Sequence, residues 1–289
     1  MIAPQFIHKF TNSFMLWADH TLLDRGQAFT VTGGSLTYYS DTQLPSHLSA
    51  WGSPFKEWVT DSSVSGAYVP SGFYVDGSFQ APSGEYFNMD FQNGRVLTSG
   101  ITSSQSITGQ YSVKDFNLYL TNQDEESLVV EVCQNSNNAF NVVGTDISTP
   151  YLPPYAQKIP AIFVNIQSQK NEPLALGGTD QSKIRANMVV FAKDPYQLDG
   201  VLGLFADTSD EVLRELSLET SPLNEWGGLK NNNYSYTDLV AASGGGNIFI
   251  DEVETSKMTD SLRRGLKTEL YVGFVDFNCA QYRNPRVSV

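Results

Sequence analysis

The sequence predicts an α+β protein: a β-rich N-terminal module over residues 1–111, then a small mixed α/β sheet domain with flanking helices over 112–289. Three observations lead there. From Gly33 to Tyr119, short aromatic and β-branched runs alternate with Gly, Pro, Ser and Asp turns. After Tyr151, longer apolar runs alternate with segments of helical spacing. Apolar residues make up 40% and aromatics 12% of the 289 residues, enough to bury a sizeable core, and the length suits one large or two ordinary domains.

In chain order, Phe6, Phe10, Phe14 and Trp17 have the spacing of one helix face, although so Phe- and Thr-rich a run also suits an extended segment. Leu36–Ser40, Phe55–Thr60, Gly72–Val75 and Tyr86–Phe91 read as strands. Gln92-Asn93-Gly94 before Arg95–Thr98 predicts a hairpin, with Asn-Gly supplying two left-handed residues for a tight turn. Ser112–Leu120 reads as one further strand.

Asn122 is the expected cap of a helix opened by Asp124-Glu125-Glu126, with Leu128, Val129 and Val132 as its buried stripe. Asn135–Thr149 reads as a polar loop, and Tyr151-Leu152-Pro153-Pro154-Tyr155 as extended chain. Ala161–Ile166 and Ile184–Ala192 are apolar strands joined through Leu176-Gly177-Gly178. Asp194-Pro195 starts a helix with Leu198, Val201, Leu202 and Phe205 on its apolar face. A second helix is expected over Asp210–Leu218, capped by Thr208 or Ser209. Strands from Ile248 and over Leu270–Phe277 complete a late sheet, with Ser243–Asn247 as a flexible connector. No repeat recurs at a fixed period.

Charge narrows the function. The net charge is −13, and charged residues make up only 17%. Nucleic-acid affinity comes mostly from Lys and Arg on phosphates, so general nucleic-acid binding is disfavoured. The deficit is uneven. Ser256–Val289 carries six basic residues against three acidic ones, a net of +3 that leaves −16 for the rest. Such an end is either a solvated tail or a surface that meets an acidic neighbour. No run reads as a secretion signal or a membrane span.

Catalytic patterns are weak. His8, His20 and His47 are the three histidines, and Asp19-His20 near Asp24 matches no standard ligand spacing. No Gly-x-Ser-x-Gly elbow is present. Gly244-Gly245-Gly246 lacks the Lys and Ser/Thr of a phosphate loop. Asp207-Thr208-Ser209 is half of an aspartic-protease signature with no visible second half. Cys133 and Cys279 fit buried free thiols, with one long-range disulfide as the alternative. The expectation is therefore no enzyme and no cofactor or metal, in a chain built to bury surface against partners.

Pro153-Pro154-Tyr155, Ile159–Val164, Glu172-Pro173-Leu174-Ala175-Leu176-Gly177-Gly178, Arg185–Ala192, Gln197-Leu198-Asp199 and Pro222-Leu223-Asn224-Glu225 together resemble connector proteins of the tailed-bacteriophage neck, such as tail terminators, stoppers and tail-completion proteins. Gly52–Asp61 and Val113–Tyr119 resemble virion proteins of large tailed phages. The resemblance implies a structural virion protein at the head–tail junction, with a small helix-flanked sheet after Tyr151. It implies a ring, most often a homohexamer, between portal or adaptor and tail tube or sheath proteins. Double-stranded DNA would pass through the lumen without specific binding, no membrane would be involved, and assembly would take place in the host cytoplasm. Candidate interface residues are Arg263, Arg264, Lys267 and Trp226. The alternatives are a baseplate or capsid-decoration protein, or a carbohydrate-binding or carbohydrate-active protein with Trp17, Trp51, Trp58 or Trp226 as a stacking platform.

Overall fold

The computed structural model describes residues 5–83, 87–134, 141–143, 151–152, 157–174, 179–266 and 269–283. The fold is α+β and β-rich. It opens with helix α1 (Phe6–Asp24), and the Phe6, Phe10, Phe14 and Trp17 stripe is buried along it. Burial decides between helix and strand here. Only helical spacing puts all four rings on one side, where Phe14 and Trp17 meet the Phe277 ring edge-on at 5.1 and 6.0 Å.

Sheet one is antiparallel throughout. Its strands are β1 (Phe29–Tyr39), β2 (Leu48–Gly52), β3 (Phe73–Val75), β4 (Ser78–Gln80), β5 (Phe87–Asp90), β6 (Arg95–Ser99) and β7 (Ile107–Lys114), in the order β4-β3-β7-β1-β2-β6-β5. Two expectations are corrected here. Phe55–Thr60 is not a strand: it crosses the sheet as a loop, touching it through a single bridge from Trp58 to Val113. The predicted β5–β6 hairpin forms, but over a four-residue loop, Phe91–Gly94, in which Gly94 alone is left-handed, at φ 62°. A β-carbon at Gly94 would stand 1.8 Å from the Phe55 carbonyl oxygen, so close approach as well as the turn requires glycine.

The run Ser112–Leu120 is two strands in two sheets. β7 ends at Lys114, and β8 (Asn117–Leu120) begins two residues later in sheet two. The boundary expected between residues 111 and 112 falls inside β7. Helix α2 (Glu125–Gln134) follows, capped by Asp124 rather than Asn122: the Ser127 amide donates to Asp124 Oδ1 at 2.9 Å. Within the expected polar loop, β9 (Asn141–Val143) pairs in parallel with β10 (Gln157–Ile159). Pro153-Pro154-Tyr155 lies outside the described residues.

Sheet two contains β8, β11 (Ala161–Pro173), β12 (Asp180–Ala192), β13 (Val212–Arg214), β14 (Asn247–Lys257) and β15 (Tyr271–Arg283), in the order β13-β14-β15-β12-β11-β8. Only β8 runs parallel to its neighbour. Helix α3 (Pro195–Ala206) starts as the sequence predicts, with Asp194 Oδ1 accepting the Gln197 amide at 2.9 Å. The helix expected over Asp210–Leu218 does not form. Asp210 is left-handed at φ 68°, β13 pairs with β14, and Leu218–Thr220 is a short 3-10 turn. Leu213 is buried between exposed Val212 and Arg214, a strand alternation of period two. Thr208 closes the end of α3, its hydroxyl donating to the Phe205 carbonyl at 2.7 Å. Two short helices, α4 (Tyr236–Ala242) and α5 (Asp260–Leu266), complete the chain.

Sheet two is covered on both faces. Met188, Val190, Val275 and Phe277 face α1 and α3 in a core that continues into sheet one through Trp58, Phe73 and Tyr111. Phe163, Val189, Phe191 and Val272 face the Leu128, Val129 and Val132 stripe of α2 in a second core. Both cysteines are buried and outside any disulfide among the described residues, Cys279 in the first core and Cys133 in the second. Among the described residues, no helix is long and apolar enough to cross a membrane.

Candidate functional site

The residues put forward from sequence do not form one site. Arg263 and Arg264 lie on α5, whose Leu266 packs against the α2-side core of sheet two. Arg263 is engaged within the chain: its guanidinium lies 4.3 Å over the Tyr271 ring and 3.8 Å from the Asp260 carboxylate. A hydrogen bond to Tyr271 raises its pKa further above the arginine range. Arg264 is exposed, beside Leu262 at 60% exposure. Lys267 lies outside the described residues. Elsewhere in the basic end, Lys257 pairs with Asp199 of α3, and Arg283 covers the Phe6 ring at 4.3 Å. Internal partners thus hold Lys257, Arg263 and Arg283, and among the described residues of the basic end Arg264 is exposed.

Trp226 sits on a different part of the surface, in a loop docked against the β5 edge of sheet one. Trp17, Trp51 and Trp58 are 5%, 3% and 1% exposed and belong to the core, whereas Trp226 is 44% exposed. It borders a cavity of about 250 Å³ with Pro45, His47, Leu48, Asn88, Leu97 and Asn224.

Asp19 and His20, whose spacing with Asp24 matches no standard ligand pattern, turn to different partners. Consecutive helix residues point about 100° apart. Asp19 Oδ1 takes the Lys114 ammonium at 2.7 Å, whereas His20 Nδ1 meets Asp61 Oδ2 at 2.7 Å. Asp61 also accepts from the Ser63 amide and hydroxyl (2.9 and 2.6 Å) and from the Tyr236 amide (3.0 Å). Burial opposes its ionisation, but the bonds from His20, Ser63 and Tyr236 outweigh that and hold its pKa below the usual carboxylate value. The His20 ring stacks on Tyr236 with centroids 4.5 Å apart. The bonds from His20 and Tyr236 join α1 and α4 to the loop after Trp58, and the two from Ser63 brace that loop itself. Among the described residues, no three His, Cys, Asp or Glu side chains gather as a metal set.

Sequence reasoning missed a second ionic site. Lys114 lies between Asp19 at 2.7 Å and Glu57 at 3.7 Å, at the wall of a cavity of about 210 Å³ that Trp58, Phe91 and Leu223 also line. Burial pushes the Glu57 carboxyl up to about 7, with Asp19 adding to the rise and Lys114 opposing it. Burial works against the Lys114 charge too, but the two carboxylates outweigh it and raise its pKa. Glu57 is also left-handed, at φ 51°, a conformation uncommon outside Gly, Asn and Asp. A carboxyl that titrates near neutrality can hold or release a proton there. No spacing signals this group, because its members come from α1, a loop and β7.

Neither protein-family models nor curated proteins provide a match to the chain.

Proposed function

We propose that the chain is a structural subunit of a tailed-bacteriophage virion, a ring-forming tail terminator or connector at the head–tail junction. The observation that carries this reading is sheet two, five of whose six strands follow Tyr151: it has α3 on one face, joined there by α1, and α2 on the other, a helix-flanked sheet of the kind that the resemblance implies. The order of parts supports it as well. Glu172-Pro173 closes β11, β12 follows, Gln197-Leu198-Asp199 lies in α3, and Pro222–Asn224 opens the loop beyond. β11, β12 and β15 are each 13 residues, roughly 40 Å long, and Gln167–Asn171 of β11 is exposed. That gives a subunit an arm to lay along a neighbour.

In a ring, unlike surfaces meet, and the rotation between subunits must close. Arg264 and Leu262 on α5 supply one such surface, and the acidic remainder of the chain supplies its complement. Acidic charge along a lumen would let DNA slide past without adhering. The reading involves no catalysis.

Sedimentation velocity and native mass measurement of the full chain test it. A closed ring is expected, dispersing at high salt, with Arg264→Glu shifting the chain toward the 31.9 kDa monomer. A monomer at every salt and protein concentration would overturn the reading.

A further inference from the structure

An exposed tryptophan is not by itself a site. What singles out Trp226 is the structure that holds it in place. Leu223 and Leu229 pair across its loop, and the Lys230 amide donates to the Pro222 carbonyl at 2.9 Å. Asn224 Oδ1 accepts the amides of Trp226 and Gly228 at 2.8 and 3.0 Å.

The tip of the loop is fastened to β5 and its following turn. The Phe91 amide donates to the Gly227 carbonyl at 2.9 Å, and Asn88 Nδ2 donates to the Trp226 carbonyl at 3.2 Å. Gly227 is left-handed at φ 74°, and a β-carbon there would stand 2.1 Å from Asp90 Oδ1. At Gly228 it would stand 2.3 Å from Asn88 Oδ1. The backbone of residue 226 is therefore fixed, and its large ring faces water from a rigid mount.

The cavity beside it has a defined chemistry. Leu48, Leu97 and Pro45 give it an apolar lining, while Asn88, Asn224 and His47 contribute polar groups. Among the described residues, no Asp, Glu, Lys or Arg lines it. Among the described residues, no permanently charged side chain there would pair with a phosphate, a carboxylate or an ammonium, so the lining favours an uncharged ligand. Asn224 Nδ2 and the Trp226 indole N–H have no hydrogen-bond partner among the described residues. At about 250 Å³ the space is below the roughly 300–1,000 Å³ of drug-sized sites, so it suits one ring rather than a long chain.

A ligand for this site must be neutral and must offer one CH-rich face to an indole and hydroxyls to amides. We infer that the cavity binds a single neutral hexopyranose, stacked on Trp226 and hydrogen-bonded by Asn88, Asn224 and His47. The concave shape and the amide lining favour this over a flat contact with another protein. The inference goes beyond the ring reading and is independent of it: a monomer that binds sugars would overturn the ring and leave this site standing.

The chain contains its own reporter, because Trp226 is the only one of its four tryptophans open to an added quencher. Acrylamide quenching of the full chain is to be measured during titration with glucose, galactose or N-acetylglucosamine, with saturation-transfer NMR as the second readout. At least one sugar is expected to shield Trp226 saturably. Trp226→Ala is expected to lose binding by about tenfold or more in the NMR readout, the size expected when an aromatic stacking partner is removed. His47→Ala should weaken binding in both readouts while leaving Trp226 in place as reporter. Both variants should unfold at the parent temperature. The inference is overturned if none of the three sugars gives saturable shielding, or if Trp226→Ala binds as the parent does. It is also overturned if shielding rises with protein concentration alone, which would make Trp226 a contact between copies.

Discussion

Arg95 and Lys114 each sit buried between two carboxylates on strands of sheet one, and the two trios are built differently. Arg95 Nε donates to Asp90 at 2.8 Å, and one Nη donates both to Asp41 at 2.7 Å and to the Tyr39 hydroxyl at 3.0 Å. Asp90 is held further by the Asn93 amide and side chain. Burial opposes the guanidinium charge, but Asp90 and Tyr39 outweigh it and raise the pKa. Lys114 reaches Asp19 at 2.7 Å but stays 3.7 Å from Glu57, too far for a hydrogen bond. A planar fork serves two acids at once, while a point charge on a flexible stem serves one well and leaves the other under-compensated. The first trio fastens a hairpin. The second leaves a carboxyl that titrates near neutrality.

Removing the fork gives the largest effect. Arg95→Met should cost roughly 3–5 kcal/mol in urea unfolding, because two buried carboxylates lose their cation. A loss under about 1 kcal/mol would show that Asp41 and Asp90 reach water without it, and would erase the contrast.

Glu57→Gln comes next, and its sign depends on pH. The folded pKa, about 7, lies above the ordinary glutamate value of 4.5. The stability tied to this group is therefore fully present below about 4.5 and lost as pH rises through 7. The variant should lack that decline and exceed the parent by roughly 2–3 kcal/mol at pH 8.5. Parallel stability–pH curves for parent and variant would refute the account of the second trio.

Asp61 offers an intermediate case, an anion held by amides, a hydroxyl and one imidazole. Its lowered pKa means that its contribution is present above the usual aspartate value and lost on acidification. Asp61→Asn should cost roughly 1–2 kcal/mol at pH 7, readable as a lower unfolding midpoint. A cost equal to that of Arg95→Met would mean that neutral donors hold a buried charge as firmly as a guanidinium does.

The smallest effect belongs to a surface trio of the opposite composition, Glu172 between Lys170 and Lys183 at 2.6 and 2.9 Å. Hydrogen bonds from the two lysines draw the Glu172 pKa down to about 2. In water that preference is screened, so Lys170→Ala should leave the denaturation midpoint where it was.

What the sequence made legible follows from how local each cause is. The α1 stripe and the Asp194 cap were readable, because four aromatic rings and a carboxylate act within a few turns. The Asp210–Leu218 segment was misread because Val212, Leu213 and Leu216 fit a helix face. Its strand comes from pairing with β14, more than thirty residues away. In the Ser112–Leu120 run, Phe116, Leu118 and Leu120 alternate, and the single break in phase, the three-residue step from Val113 to Phe116, is where the chain changes sheets. The Lys114 trio needs three distant segments to meet, so no spacing could announce it. Trp226 was visible as an aromatic side chain, but its exposure depends on how Gly227 and Gly228 lie against β5.

The passage between the two sheets has a mechanical consequence. Asp115 and Phe116 are the only residues between β7 and β8, and both ends of that step are bolted. The Asp115 amide donates to Ala28 at 2.9 Å, and Thr30 donates to its carboxylate at 2.9 Å. Asn117 bonds Pro160 and Lys158 on the other side, both at 3.1 Å. With no slack linker at this step, a displacement of either sheet is passed directly to the other here, in addition to the core that the two sheets share.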